Sequence, residues 1–149
     1  MQARSFAHFK PVIQEEQTGC GIAAVANIVG KSYLEIKNLA NQMGIYATDQ
    51  SLWSDTAYVR HLLAQFHCVC DKAETPFKDW DSLPDTALLA IKHHQTEGKN
   101  FWHWVVFKRI AGESRVIDSA SYLTNNLRQD FADMQPKWYI AVHFSVHPV

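Results

Sequence analysis

A cysteine with a glycine on each side, Gly19-Cys20-Gly21, stands six residues after Gln14. The residues that follow, Ile22-Ala23-Ala24-Val25-Ala26-Asn27-Ile28-Val29, are small or apolar and stop at Gly30. A thiol in the first turn of a buried helix is placed to become a nucleophile, because the helix N-terminus carries about half a positive charge and favours the thiolate. A thiolate that attacks a carbonyl needs a base to take a proton and return it, and that base needs an orienter on its other ring nitrogen. His103 is the base candidate, near the start of the hydrophobic run Phe101-Trp102-His103-Trp104-Val105-Val106-Phe107. Asp118 is the orienter candidate, closing Arg115-Val116-Ile117-Asp118. The attacked carbonyl becomes an oxyanion, and the Gln14 amide with the backbone N–H of Cys20 can donate to it. Gln17 is nearer to the cysteine in sequence and is the competing donor. Gly19 and Gly21 are expected to let a substrate backbone come close to the thiol.

Taken singly, each of these residues has an ordinary reading. Buried cysteines are mostly small hydrophobes, and a lone Asp after a strand is mostly a turn residue. Their joint assignment depends on the elements that carry them. Residues 1–13 read as an extended lead-in, and Pro11 biases Lys10 away from helix. A first helix is expected from Cys20 to Val29, apolar nearly all round and therefore central. Ser32-Tyr33-Leu34-Glu35 is a capping-box pattern and opens a second helix, with Leu34, Ile36, Leu39, Ala40 and Met43 as its stripe and Gly44 as its stop. Residues 45–53 read as a loop whose Tyr46 and Trp53 could line a cleft, and a third helix is expected over about 54–66.

After that the periodicity changes to strands: 68–70, 86–92, 101–110, 115–118 and 138–144, with a short helix expected over 125–134. A turn at Ala111-Gly112-Glu113-Ser114 folds the middle pair into a hairpin that sets residues near 103 beside residues near 119. His103 and Asp118 therefore fall side by side. Trp102 and Trp104 alternate to the face opposite His103 and are expected under helices or at an edge. Helices first and strands second give an α+β domain, with an antiparallel sheet against a helical half.

Composition excludes several classes. The chain has 149 residues, 47% apolar, which suits one domain spanning 1–149 with a real core. The net charge of −1 gives no basic field for nucleic acid. The first residues lack the apolar core of a secretory signal, and no apolar run is long enough to span a bilayer. Three cysteines, an odd number, suit a reducing compartment, so a cytoplasmic protein is expected. Cys68 and Cys70 have no second cysteine pair to complete a zinc site, and are read as buried thiols. Glu15 and Glu16 read as a solvated pair near the cleft mouth.

Gln14 through Gly21, His103 before its valines, and Asp118 after a short turn together resemble the papain-like cysteine peptidases that process double-glycine leader peptides of bacteriocins, and the stand-alone domains related to them. The resemblance implies a papain-like fold and peptide-bond hydrolysis by a Cys20–His103–Asp118 triad with Gln14 at the oxyanion, on a peptide or protein substrate and without metal or cofactor. The sequence departs from the family in two places. Gly19 stands where the family often has Asp, and Ser119 stands where it often has Pro. An acyltransferase on the same fold and a non-catalytic peptide- or leader-binding domain are the alternatives. Neither the oligomeric state nor the substrate is written in the sequence.

Overall fold

The computed structural model describes residues 5–144. Four helices, α1 (Cys20–Val29), α2 (Tyr33–Gln42), α3 (Ala57–Ala64) and the short α4 (Phe131–Met134), accompany seven strands. The strands are β1 (Cys68–Cys70), β2 (Thr75–Pro76), β3 (Thr86–Thr96), β4 (Lys99–Ile110), β5 (Glu113–Ile117), β6 (Leu127–Arg128) and β7 (Trp138–Phe144). They form one antiparallel sheet in the order β1-β7-β3-β4-β5-β6, with β2 joined to β7. This is an α+β domain.

Helix α1 is buried from Cys20 through Ile28, as its small apolar composition requires. It ends where Gly30 turns left-handed and donates its N–H to the Ala26 carbonyl. Its one polar interior residue, Asn27, is satisfied by the lead-in: the side chain accepts from Val12 N–H at 2.7 Å and donates back to the Val12 carbonyl at 3.2 Å. That clasp fixes the strand-like segment that delivers Gln14. Helix α2 begins on the expected capping box, with Ser32 and Glu35 satisfying each other's backbone N–H groups. Its stripe is rotated from the expected one. Tyr33, Ile36 and Ala40 are buried, whereas Leu34 and Met43 are exposed.

The sheet is covered on both faces. Trp104, Val106, Leu88, Ala90 and Ile117 pack with α1, α2 and α3 in one cluster. Leu89, Ile91, Val105, Phe107 and Val116 face the other way, onto Leu83, Trp80, Phe131 and Met134. Alternation along β4 thus fills both cores. Trp102 and Trp104 lie under the helices, edge-on to one another and to Trp138 at centroid distances of 4.9 to 5.6 Å.

Several boundaries differ from the sequence expectation, three of them substantially. The third helix is shorter, Ala57–Ala64, and is preceded by a 3-10 turn over Gln50–Ser54 that Asp49 caps. Strand β3 runs on through a bulge between Ile91 and His94 and turns back at Glu97-Gly98, both at positive φ, which is the backbone a two-residue hairpin demands. The expected helix over 125–134 is a strand, β6, followed by one turn of helix. β6 pairs with β5 at the sheet edge, where the ladder, not local periodicity, decides the conformation.

Candidate active site

Cys20 is the first residue of α1, with Gly19 as its uncapped N-cap. Its N–H therefore has no intrahelical partner and is available at the helix mouth. The thiol is almost sealed, at 1% exposure, and its sulfur accepts the backbone N–H of Trp104 at 3.5 Å. That contact places the thiol against β4 one residue beyond His103.

The β4–β5 ladder runs from Ile110 opposite Glu113 to Val106 opposite Ile117. In that register His103 would face Ala120, so the chain leaving β5 crosses the ring at Asp118. His103 Nε2 and Asp118 Oδ1 are 2.7 Å apart. The Cys20 side chain interacts with the same imidazole, whose Nε2 is committed to Asp118. Burial alone would push the pKa of His103 down. The bond to Asp118 and the interaction with Cys20 outweigh it and raise the pKa to about 9. The structure thus brings together the three residues expected to do so, on α1, β4 and the exit of β5.

Asp118 is fully buried, and both its oxygens are used. Oδ1 also accepts the N–H of Ala120 at 3.1 Å, and Oδ2 accepts Arg128 Nη1 at 2.9 Å. Burial would raise the pKa of this carboxyl, but the partners, led by His103, hold it below the usual carboxylate range. Sequence reasoning had no signal for Arg128, which arrives on β6. Asn126 secures the same corner, donating to the carbonyls of Asp118 and Ala120 at 2.6 and 2.9 Å.

Gln14 lies beside the site, tied to it through Ser119. Its N–H donates to the Ser119 carbonyl at 3.0 Å, and its Oε1 accepts the Ser119 hydroxyl at 2.8 Å. Its Nε2 donates to the carbonyls of Glu16 and Gln17 at 3.1 and 3.2 Å, so in this state the amide braces the loop before Cys20. Ser119, one of the two departures from the family pattern, supplies a hydroxyl that a proline could not.

The glycines beside the thiol have a different use from the expected one. A Cβ on Gly19 would lie 2.1 Å from the Tyr33 hydroxyl, and one on Gly21 would lie 1.9 Å from that of Tyr58. The space over both is filled by the protein's own tyrosines rather than left open for a substrate. Glu16 is not solvated either. It accepts Tyr33 Oη at 2.5 Å and pairs with Lys37, both from α2. Burial raises the Glu16 pKa, but the bonds from Lys37 and Tyr33 bring it below the ordinary value. Glu15 is exposed, as expected. Gly19→Ala should therefore cost about 1–3 kcal/mol by overpacking, read by chemical denaturation. Adding Tyr33→Phe, which removes the nearest atom, should recover part of that loss.

A cleft of about 530 Å³ opens on His103, between Gln14, Glu15, Trp53, Lys92 and Tyr122. At its mouth Lys92 Nζ donates to the Tyr122 hydroxyl. An aromatic recess of about 210 Å³, walled by Trp53, Phe101 and Trp102, shares Lys92 and His103 with it. Trp53 lines this cleft as expected, and the exposed Tyr46 is not among the residues that line it. A larger hollow of about 700 Å³ around the β3–β4 hairpin touches none of Cys20, His103 and Asp118.

The chain shares its fold with a protease. Among solved structures it is similar to a double glycine motif protease from an AMS/PCAT transporter, crystallised in complex with the leader peptide, with a TM-score of 0.58 over 89% of each chain at 13% identity. No family model and no curated protein matches the sequence. The likeness is therefore one of three-dimensional arrangement. Among the described residues no helix is long and apolar enough to cross a membrane.

Proposed function

We propose that the chain is a cysteine peptidase of papain-like fold that cleaves a peptide substrate through Cys20, His103 and Asp118. The observation that carries this reading is the convergence of the thiol at the N-terminus of α1 with an imidazole held at 2.7 Å by a buried carboxylate. The fold shared with a protease that was crystallised with a leader peptide supports a peptide as the substrate class. Free thiols at Cys20, Cys68 and Cys70 suit a reducing compartment, and we place the protein in the cytoplasm.

In this mechanism His103 holds the proton and Cys20 the negative charge. The thiolate attacks the scissile carbonyl, and the oxyanion is held by the Cys20 N–H and the Gln14 amide. Gln14 Nε2 turns one hydrogen from the Gln17 carbonyl, the longer of its two bonds, to the oxyanion. His103 then protonates the departing amine, leaving a thioester on Cys20. Water, deprotonated by His103, attacks that thioester and returns the acid. Asp118 keeps the ring in place and stabilises its protonated form throughout.

Profiling of a mixed peptide library by mass spectrometry tests the reading. Cleavage products are expected with the native protein and none with Cys20→Ala. Products carrying an added amine instead of water would redirect the reading to acyl transfer. Peptide binding without products would reduce it to a binding domain. Gln14→Ala should lower kcat by about 10²–10³ with little change in KM, the usual loss for one oxyanion donor. A parallel melting curve separates that loss from the role of Gln14 in bracing the loop.

A further inference from the structure

The buried carboxylate at this site has a partner that the triad does not require. Arg128 lies on the edge strand β6, with its side chain 14% exposed and aimed inward. Nη1 meets Asp118 Oδ2 at 2.9 Å, on the oxygen that His103 does not use. The rest of the guanidinium is fixed from outside: Nε and Nη2 meet the two oxygens of Asp130 at 2.9 and 2.6 Å. A planar fork bound this way cannot rotate without breaking two carboxylate bonds. Asp118 is consequently clamped on both oxygens, and Asp130, Arg128, Asp118, His103 and Cys20 form a row of alternating charge from the surface to the thiol.

We propose that Arg128 is a positioning residue of this site, which acts through Asp118 to fix the plane of the His103 ring and to moderate the negative charge that ring feels. The proposal rests on the peptidase reading above and deepens it. A buried, unshared carboxylate would bind the imidazolium so firmly that proton return to a leaving amine would suffer. A carboxylate shared with an arginine still orients the ring but attracts the proton less.

Other charged groups near the row are set apart by geometry. Glu16 lines the same cleft as His103 but is held by its own partners, paired with Lys37 and hydrogen-bonded by Tyr33. Tyr58, on α3, faces Cys20 and stays protonated because burial and the nearby thiol raise its pKa. Lys92, on β3, borders the same cleft as His103 but donates to Tyr122. Glu15 is exposed at the mouth, and Asp55 adds a weaker negative field beside Tyr58. None of these contacts Asp118, whose side-chain partners are His103, Ala120 N–H and Arg128.

The test is the imidazole titration of His103, followed by NMR of the labelled full chain and needing no substrate. In the native protein the midpoint is expected near 9. Arg128→Gln keeps a hydrogen-bond donor and removes the charge, and should move the midpoint up by roughly one pH unit. Arg128→Lys keeps the charge and should restore it. Asp130→Asn removes the outer carboxylate at an exposed position, leaves Arg128 less neutralised, and should move the midpoint down. An unmoved midpoint in Arg128→Gln would overturn the role of Arg128 while leaving the triad intact. Should that variant fail to fold, an unmoved or raised midpoint in Asp130→Asn overturns it equally. A native midpoint near 6.5, the value of a free imidazole, would instead remove the peptidase reading on which the proposal stands.

Discussion

Replacing Cys20 by alanine, or His103 by alanine, is expected to lower kcat/KM on a cleaved peptide by at least about four orders of magnitude. In the proposed mechanism nucleophile and base act as a unit, so each single loss should remove nearly all of the covalent catalysis, and the double variant should be little worse than either. The structure also predicts what will not change. Cys20 accepts one weak bond, from Trp104 N–H at 3.5 Å, and sits in a packed apolar cluster. Alanine there should cost only about 1 kcal/mol of stability. His103 is half-buried at the edge of the sheet core. Steady-state kinetics with a melting curve for each variant would check both halves, and turnover surviving in Cys20→Ala would end the assignment of the nucleophile.

Asp118 carries the second large effect, because in the proposed mechanism it would serve catalysis and stability together. Asp118→Ala leaves Arg128 facing inward with no inner carboxylate, and strips the Ala120 N–H and His103 of their acceptor. Breaking a buried pair from one side costs about 3–5 kcal/mol, which for a chain of this size lowers Tm by roughly 10 °C. Activity should fall by about 10⁴ through loss of ring orientation and of the correct tautomer. Asp118→Asn keeps one acceptor oxygen, and should fall between the native protein and alanine in stability while losing activity almost as fully.

The same groups set the pH range of stability. The pKa of His103 is raised in the fold to about 9, so its contribution is complete below about 6.5 and disappears as pH climbs through 9. That of Asp118 is lowered below 3.8, so its contribution is complete above that value and is lost on further acidification. Denaturation midpoints should therefore be highest between the two, and Asp118→Ala should flatten both slopes.

The parts of the site that could be read from sequence are those set by local geometry. Gly19 and Gly30 delimit a run of small apolar residues, and α1 occupies that span. The turn near Gly112 determines the β4–β5 register, and the chain leaving β5 brings Asp118 to the ring of His103. What could not be read depends on contacts between distant elements. Arg128 stands in Asn126-Leu127-Arg128-Gln129, which resembles a solvated helix face, and only pairing with β5 turns it inward. Glu16 looks like half of an exposed acidic pair until Tyr33 and Lys37, one helical turn apart on α2, both reach it. Gly19 and Gly21 announce that something comes close, but not that it is the hydroxyl of Tyr33 or Tyr58.

Whether His103 activates Cys20 can be read from one labelling experiment. The protein is treated with iodoacetamide at pH 6, and each cysteine is followed by mass spectrometry in the native protein and in His103→Ala. Cys70 is the more exposed thiol, but burial pushes its pKa up to about 11, and that of Cys68 is raised as well. The nearly sealed Cys20 is expected to be modified first, and at least about ten times more slowly once His103 is gone. Modification of Cys70 ahead of Cys20, or a Cys20 rate indifferent to His103, would contradict activation by His103.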